Sequence, residues 1–193
     1  RNDTIFPDKK KEILFVGRLV PEKGSHLFVK SIISLVSKNP DWKFKIIGTA
    51  KAGQDNLQTE YEKNVINEFI SLGSNTEYLG FISNDEVKKL LKSASILVIP
   101  SLWDDPFPLT ALEGLSLGLA IIASNRGGLS EMLKGKGILI DNLNQKNLEN
   151  SIIKLISNPD ILRDYQKKSW INYKYNQASI SQYQDEIRKN IIK

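Results

Sequence analysis

The sequence predicts an α/β domain built on a doubly wound parallel sheet of about six strands. Short apolar runs alternate along the chain with segments whose apolar residues recur at every third or fourth position. The apolar runs are continuous, which is typical of strands that are buried on both faces of a parallel sheet. The connections between them are short. Repeated alternation of this kind favours parallel strands that are joined by helices.

The first half of the chain contains three predicted strands and three predicted helices. In order, they are a strand at 12–17, a helix at 26–36, a strand at 42–47, a helix at 61–72, a strand at 77–80 and a helix that starts at 83. The first strand ends in Gly17 and is too short for a helix. Pro40 follows the first helix, and Gly73 stops the second. Ser83 and Glu86 have the spacing of a capping box, which marks the start of the third helix.

The second half continues the alternation. In order, it contains a strand at 95–100, a helix at 109–117, a strand at 119–123, a helical turn at 130–133, a strand at 137–140 and helical patterns over most of 144–193. Pro108 suits the first position of a helix, because its missing N–H would have no partner there. Asp105-Pro106 keeps the backbone extended before that helix. No internal repeat or low-complexity linker interrupts the pattern.

Composition excludes several kinds of functional site. The chain has 193 residues, enough for one domain with a substantial core, and it contains no Cys and one His. Disulfide scaffolds, cysteine nucleophiles and metal sites made of thiolates or clustered histidines therefore cannot be built from it. Its 27 basic and 22 acidic residues give a net charge of +5, which favours anionic partners without indicating nucleic acid. Dinucleotide dehydrogenases and P-loop enzymes are disfavoured, because neither glycine-rich fingerprint is present.

The loop after the first strand contains two cations next to two glycines. Ligands of open α/β sheets bind outside the carboxyl ends of the strands. Arg18 and Lys23 stand there between Gly17 and Gly24, where a helix begins. A guanidinium offers a planar fork to phosphate oxygens, an ammonium offers a mobile charge, and a helix amino end adds N–H donors. The alternative is that both are ordinary surface cations, and their position favours phosphate binding slightly.

The loop before the fourth predicted helix combines carboxylates with free amides. The N–H groups of Leu109 and Thr110 begin that helix and are free to bind an anion. Asp105 and Glu113 are eight residues apart, about 12 Å along a continuous helix. At that distance they can grip opposite ends of an extended ligand that has a pyrophosphate between them. The alternative is that Asp104 or Asp105 caps the helix and that Glu113 belongs to an exposed stripe.

Three further positions have both a structural and a functional interpretation. His26 starts the first helix and is interpreted as a packed or exposed helix residue rather than a base. Trp103 can stack on a ligand, but an aromatic residue in a loop before a helix is as often a packing anchor. Gly127-Gly128 predicts a turn that allows close approach, with Arg126 as a secondary candidate for anion binding.

Several motifs together resemble a known enzyme family. In order, they are Gly17-Arg18-Leu19, Glu22-Lys23-Gly24, Tyr78-Leu79-Gly80-Phe81, Pro100-Ser101, the acids Asp105 and Glu113 with seven residues between them, and Gly127-Gly128 followed by Glu131. Their order and spacing resemble the nucleotide-sugar-binding half of retaining GT-B glycosyltransferases of the large family four. Each motif alone is weak, but together they cover nearly the whole chain and are specific.

The resemblance implies a Rossmann-like domain, the C-terminal half of a GT-B fold with C-terminal crossover helices. It implies that Arg18 and Lys23 contact the donor phosphates. It also implies that Asp105 approaches the transferred sugar and that Glu113 hydrogen-bonds the ribose. Catalytic roles are expected for Asp105, Arg18 and Lys23. The expected donor-binding residues are Gly17, Arg18, Lys23, Leu79, Phe81, Asp105, Phe107, Pro108, Leu109, Thr110 and Glu113.

Two positions depart from the family pattern. Asp105 stands where the family usually has Glu, which shortens the reach of the carboxylate by one methylene. Pro108 stands where Gly is common and removes an N–H donor. The second departure removes one possible contact with the sugar on that side.

The resemblance also implies a domain organisation. Residues 1–12 are expected to form an interdomain linker, 13–169 the nucleotide-sugar-binding domain and 170–193 C-terminal helices that pack toward an N-terminal domain. The chain lacks an initiator Met, and we expect it to be part of a longer enzyme whose preceding part recognises the acceptor. We expect the chain alone to bind donor weakly and to transfer nothing.

The implied function is transfer of a hexosyl group from a nucleoside-diphosphate sugar to a glycan or lipid-linked acceptor, in bacterial lipopolysaccharide or surface-polysaccharide synthesis. No metal or cofactor is expected, because cations and helix N–H groups stabilise the diphosphate. A nucleotide-sugar epimerase and a non-catalytic nucleotide-sugar-binding module stay open as alternatives. The expected location is the cytoplasm. Contact of the basic segments 9–11 and 188–189 with the inner face of the cell membrane is an alternative to solvated ends.

Overall fold

A computed structural model describes residues 6–51 and 59–171 of the chain. Its strands are β1 (Lys10–Val16), β2 (Lys43–Ile47), β3 (Thr76–Tyr78), β4 (Ala94–Ile99), β5 (Ala120–Ser124) and β6 (Ile138–Ile140). Its helices are α1 (Ser25–Lys38), α2 (Glu60–Ser71), α3 (Asn84–Ser93), α4 (Leu109–Ser116), α5 (Gly127–Leu133), α6 (Gln145–Ile156) and α7 (Pro159–Ile171), with a short 3₁₀ helix over Pro21–Lys23. The strand and helix alternation predicts this architecture correctly.

The six strands form one parallel sheet in the order β3-β2-β1-β4-β5-β6. The chain moves outward from β1 to β3 on one side and outward from β4 to β6 on the other. The strand order therefore reverses between β1 and β4, which are paired through Leu14 with Leu97 and Phe15 with Val98. Such a reversal opens a crevice at the carboxyl ends of the two central strands.

Two apolar layers cover the two faces of the sheet. Successive side chains of a strand point to opposite faces, so Ile13 and Phe15 pack in the layer that contains Phe28 and Phe69. Leu14 packs in the other layer, with residues of β4, β5, α4 and α5. These side chains are almost fully buried, and each contributes roughly 1.5–3 kcal/mol to folding. The crevice at the end of the sheet therefore rests on a rigid core.

The ends of the described domain differ from the predicted boundaries. β1 begins at Lys10, so residues 10–12 of the predicted linker belong to the sheet. Phe6 packs edge-on against Trp170, with 5.7 Å between the ring centroids. Trp170, the first residue of the predicted crossover segment, thus lies in α7 and contacts this domain. The rest of that segment, 172–193, is outside the described residues.

The first basic segment is partly built into the fold. The ammonium of Lys9 donates hydrogen bonds to the carbonyl oxygens of Lys92 at 3.0 Å and Leu117 at 2.9 Å. Burial, with a smaller effect of the neighbouring Arg163 charge, lowers the pKa of Lys9 to about 7. The expectation of a fully solvated end is therefore wrong for Lys9. Among the described helices, none has the length and apolar character that crossing a membrane requires.

Candidate functional site

Two loops meet above the carboxyl ends of the central strands. The β1–α1 loop and the β4–α4 loop are joined by a hydrogen bond of 2.8 Å from the N–H of Leu102 to the carbonyl oxygen of Glu22. Gly24 has a φ of 71°, and a Cβ atom there would lie 1.9 Å from the carbonyl oxygen of Pro100. Only glycine combines that backbone conformation with so close an approach. The two backbones are therefore in direct contact.

An ion pair connects the two loops at the centre of the site. Lys23 Nζ lies 3.1 Å from Asp105 Oδ2, and the two side chains are only 25% and 28% exposed. The other carboxylate oxygen, Oδ1, accepts a hydrogen bond of 3.1 Å from the N–H of Phe107. Both oxygens of Asp105 are thus engaged by its own surroundings. The structure brings together the two residues that the sequence assigns to phosphate and sugar.

The start of α4 differs from the prediction in one detail. Pro108 is the N-cap residue, not the first helical residue, and no side chain caps the helix there. The alternative that Asp104 or Asp105 caps α4 is therefore wrong, since Asp105 closes a turn with Phe107 instead. Among the described residues, no acceptor bonds to the N–H groups that open the helix. These are the amides of Leu109 and Thr110, as predicted.

The first turn of α5 supports the loop that carries Asp105. The N–H of Gly128 donates a hydrogen bond of 2.8 Å to the carbonyl oxygen of Asp105. A Cβ atom at Gly128 would lie 2.3 Å from the carbonyl oxygen of Pro106, and one at Gly127 would lie 2.7 Å from that of Asp105. The predicted close approach at this glycine pair is confirmed. The backbone of Asp105 is therefore fixed from α5 and from its own loop.

Two adjoining cavities surround the ion pair. The inner cavity, of about 60 Å³, is lined by Phe15, Val16, Gly17, Lys23, Ile99, Ser101, Asp105, Pro108, Leu109, Thr110 and Leu129. The outer cavity, of about 530 Å³, is lined by Arg18, Glu22, Lys23, Trp103 and Asp105. Lys23 and Asp105 line both. A ligand that spans the two cavities must therefore pass the ion pair.

Two exposed ion pairs, called the rim pairs here, each contain an arginine: Arg18, which lines the outer cavity, and Arg126, which precedes the Gly127-Gly128 pair. Arg18 is 3.9 Å from Glu22, and Arg126 is 3.9 Å from Asp104. All four side chains are exposed by more than two-fifths. Exposed pairs of this kind contribute only about 0–1 kcal/mol. Both guanidinium groups can therefore leave their partners and reach an anion.

Glu113 lies outside both cavities. It is on the second turn of α4, four residues after Leu109, a rise of about 6 Å. The 12 Å span of a continuous helix does not describe the separation from Asp105, because the helix begins only at Leu109. Burial raises the pKa of Glu113, and the nearby Lys88 opposes this shift. Glu113 is thus a half-buried carboxylate with a raised pKa.

Three other predicted donor-binding residues do not line the cavities: Leu79, Phe81 and Phe107. Leu79 is half-buried, and its N–H bonds to the carbonyl oxygen of Ile46 at 3.0 Å. Phe81 and Phe107 are exposed by 50% and 47%. Gly80 follows β3 and accepts a hydrogen bond of 2.7 Å from the N–H of Gly48. The segment 79–81 therefore lies at the same end of the sheet but outside the cavities.

Several lining residues carry no assignment in the predicted donor set. These are Phe15, Val16, Glu22, Ile99, Ser101, Trp103 and Leu129. Ile99 and Ser101 stand at the carboxyl end of a predicted central strand, and this position could have identified them as lining residues. The sequence pattern does not identify Leu129 as a lining residue, because the predicted helical turn starts one residue after it.

His26 has a structural role at the start of α1. Its Nδ1 lies 2.8 Å from the hydroxyl oxygen of Tyr61, which also hydrogen-bonds Ser25 Oγ at 2.9 Å. Burial and, to a smaller extent, the charge of Lys30 lower the pKa of His26. The imidazole is therefore part of the contact between α1 and α2, in agreement with its structural interpretation.

Comparison with solved structures places this architecture among known glycosyltransferase domains. The Anabaena protein Alr3699/HepE, solved in complex with UDP-glucose, superposes with a TM-score of 0.79 at 19% identity, over 94% of this chain and 49% of that chain. The C-terminal domain of LpcC, a glycosyl transferase group 1 family protein from Francisella tularensis, superposes with a TM-score of 0.69 at 25% identity, over 86% of this chain and 84% of that one.

Sequence relatives agree with the structural comparison. The putative glycosyltransferase YtcC of Bacillus subtilis is 31% identical over 140 residues, which is 72% of this chain and 34% of the relative. The lipopolysaccharide 1,2-N-acetylglucosaminetransferase of Salmonella typhimurium is 26% identical over 183 residues, 92% of this chain and 48% of the relative. The chain thus spans between a third and a half of their length. The family model of the glycosyl transferases group 1 matches residues 1–177, and the chain belongs to that family.

Proposed function

We propose that this domain binds the donor of a retaining glycosyltransferase, a nucleoside-diphosphate sugar, in the cavities between the β1–α1 and β4–α4 loops. The observation that carries the proposal is the half-buried Lys23–Asp105 pair at the mouth of the strand crevice. In this proposal the cation binds phosphate and the neighbouring carboxylate binds sugar hydroxyls. The solved complex of a structural neighbour with UDP-glucose supports this class of donor.

The donor diphosphate is assigned to the cations and the start of α4. Sugar transfer leaves negative charge on the departing nucleoside diphosphate, and fixed positive groups nearby lower the barrier. Lys23 is held near that position by Asp105, while Arg18 reaches it from the rim. The free N–H groups of Leu109 and Thr110 add donors, and the helix dipole favours an anion. These groups stabilise the leaving group without a metal ion in this proposal.

Asp105 is assigned to the transferred sugar. Its carboxylate stabilises positive charge that develops on the sugar ring, and its position close to Lys23 puts that ring beside the diphosphate. The carboxylate is held by an ion pair and by the N–H of Phe107, so we assign it an electrostatic and binding role rather than that of a nucleophile. Retention then results from departure and attack on the same face of the sugar.

The nucleoside is assigned to the segment 79–81 and to Glu113. Neither lines a cavity, so this assignment requires a donor that extends out of the cavities toward them. Glu113 then accepts hydrogen bonds from the ribose hydroxyls. The full enzyme transfers the sugar to a glycan or lipid-linked acceptor at the cytoplasmic side of the membrane, as in lipopolysaccharide or surface-polysaccharide synthesis. The lipopolysaccharide enzyme among the relatives supports this role.

Calorimetry on the 193-residue chain tests the donor site. We expect UDP-glucose, UDP and pyrophosphate to bind and EDTA to leave their affinities unchanged. Arg18→Ala and Lys23→Ala should each weaken the binding of all three ligands, because both cations contact phosphate. An unchanged affinity in both variants contradicts the phosphate assignment. Glu113→Gln should weaken UDP more than pyrophosphate, and equal losses reject the ribose assignment.

Product analysis on the longer enzyme tests the reaction. A panel of nucleotide sugars is supplied with native glycan extract, and the products are identified by mass spectrometry and by NMR of the new anomeric centre. We expect a glycosylated acceptor with the anomeric configuration of the donor. Donor isomerised without acceptor would instead indicate an epimerase. Bound donor with no turnover would indicate a binding module.

A further inference from the structure

The indole of Trp103 faces solvent beside the site. It is 60% exposed, the largest value among the aromatic side chains of the described residues. Burial of a tryptophan in a core or an interface stabilises a fold strongly, and Trp103 does not contribute in that way. The interpretation of Trp103 as a packing anchor is therefore wrong. An exposed tryptophan next to a binding cavity needs another explanation.

The backbone of Trp103 is rigid although its ring is exposed. Its N–H donates to Ser101 Oγ at 3.2 Å, and its carbonyl oxygen accepts from the same hydroxyl at 3.0 Å. The N–H of Asp105 donates to that carbonyl oxygen at 3.0 Å. The preceding residue, Leu102, is bonded to the β1–α1 loop through Glu22. The ring is thus presented on a fixed loop, so a ligand that stacks on it orders little additional structure.

The outer cavity combines this one aromatic ring with four charged side chains. Its lining contains Trp103, the cations Arg18 and Lys23, and the carboxylates Glu22 and Asp105. A pyranose has an apolar C–H face and an edge of hydroxyl groups, which match an indole face and carboxylate acceptors respectively. The two carboxylates balance the two cations, so the lining as a whole has no net charge to attract a further phosphate. The lining therefore favours a neutral sugar ring.

The shared ion pair indicates whether this sugar belongs to the donor or to the acceptor. Lys23 and Asp105 line both cavities, and the proposed function assigns them to the donor diphosphate and the donor sugar. A transfer reaction needs the attacking hydroxyl next to the reacting carbon. Trp103 and Glu22 line only the outer cavity, and a donor sugar bound at Asp105 would adjoin that cavity.

We propose that Trp103 is the stacking platform for a pyranose ring of the acceptor, with Glu22 accepting hydrogen bonds from its hydroxyls. This proposal rests on the proposed function, because the donor site defines where the acceptor must lie. It gives the described domain a direct part in acceptor recognition. Trp103 then determines specificity for acceptors that present a flat apolar sugar face.

Tryptophan fluorescence of the 193-residue chain saturated with UDP tests the platform. Methyl glycosides of glucose, galactose, mannose and N-acetylglucosamine are titrated, and at least one should change the emission saturably. Trp103→Phe should lose most of that signal, because the other two tryptophans are buried or half-buried. Calorimetry should show glycoside binding in Trp103→Phe and about tenfold weaker binding in Trp103→Ala. The neighbouring Leu102→Ala serves as the matched control and should behave as the unsubstituted chain.

Kinetics of the longer enzyme provide the second readout. Trp103→Ala should raise KM for the acceptor about tenfold and leave KM for the donor within about twofold. Failure of UDP to bind at all would reject the proposed function itself. Bound UDP without a glycoside response would reject the platform alone. A Trp103 signal produced by UDP instead of the glycosides, or a rise in the donor KM of Trp103→Ala, would assign the indole to the donor and overturn the proposal.

Discussion

The inner ion pair and the rim pairs of the site join opposite charges in different surroundings. Lys23–Asp105 is short, half-buried and joins loops from two strands, with 3.1 Å between the charged atoms. Arg18–Glu22 and Arg126–Asp104 are longer, at 3.9 Å, and exposed. A charged hydrogen bond of the inner kind contributes roughly 1.5–3 kcal/mol, whereas exposed pairs contribute about 0–1 kcal/mol.

The two kinds of ion pair are suited to different tasks within one site. The inner pair defines a fixed geometry, because glycine contacts on both sides hold its backbone in place. The rim pairs leave their cations mobile, which suits groups that close on a ligand after it has entered. Substitutions at the inner pair, at the rim and at Glu113 test whether these tasks are separate.

The largest effect is expected from Gly128→Ala, which removes the support of the inner pair. Gly128 has an ordinary backbone conformation, so the substitution adds only a methyl group, 2.3 Å from the carbonyl oxygen of Pro106. Overpacking of this kind costs about 1–3 kcal/mol, and the melting temperature should fall by roughly 2–12 °C. Displacement of Asp105 should weaken UDP-glucose binding by up to about 100-fold.

Calorimetry and thermal unfolding measure the two effects of Gly128→Ala. Ser130→Ala, two residues further along α5, is the control and should change stability by less than about 0.5 kcal/mol. If Gly128→Ala binds UDP-glucose as tightly as the unsubstituted chain, the inner geometry does not depend on α5.

The second prediction separates the inner cation from the rim cation. Lys23→Met keeps an apolar stem, removes the charge and leaves the Asp105 carboxylate facing the donor phosphates. Affinity for UDP-glucose should fall roughly 10- to 100-fold. Arg18→Met should lower it only about two- to fivefold, because an exposed cation contributes less.

A double-substitution cycle distinguishes attraction from repulsion at the inner pair. Adding Asp105→Asn to Lys23→Met removes the unpaired carboxylate and should restore part of the affinity for pyrophosphate. Additive losses in the double variant would show that Asp105 and Lys23 act independently. Equal losses for Lys23→Met and Arg18→Met would remove the distinction between inner and rim pairs.

The fold could be predicted from the sequence where burial dominates. The central strands are continuous apolar runs, and the prediction for β4 differs from the structure by one residue at each end. α5 was predicted only over its second half, because its first turn contains Gly127-Gly128, which disfavours helix locally. The contact of Gly128 with Asp105 stabilises that turn, and such a tertiary contact is not visible in local sequence.

The sequence could predict residues of the candidate site, but not how those residues are arranged in space. Lys23 and Asp105 were assigned separately, and their pairing joins positions 82 residues apart in the chain. The exposure of Trp103 likewise depends on the path of the whole loop. The span of a continuous helix does not apply between Asp105 and Glu113, because four of the eight steps that join them precede α4. Local pattern identifies these chemical groups, whereas the tertiary fold sets their distances.

The smallest effect is expected from Glu113→Gln. Glu113 has no ion-pair partner among the described residues, whereas Asp105 is paired with Lys23. Burial raises the pKa of Glu113, so between the ordinary glutamate pKa and this raised pKa the folded state binds more protons than the unfolded state. The free energy of unfolding therefore falls as the pH rises through that window. The glutamine variant should lack this fall, and at neutral pH its melting temperature should equal or slightly exceed that of the unsubstituted chain.

Donor binding should respond to Glu113 with the opposite sign. A carboxylate accepts two ribose hydroxyl bonds, so UDP affinity should decrease as the pH falls through the raised pKa of Glu113 and should be lower by roughly three- to tenfold in Glu113→Gln. Pyrophosphate affinity, measured in parallel by calorimetry, should show neither change. A variant with lower stability and unchanged UDP affinity would make Glu113 a purely structural residue. If Glu113→Gln instead raises stability and lowers UDP affinity, the carboxylate contributes to ligand binding and not to folding. A half-buried charge without an ion-pair partner does not stabilise the fold.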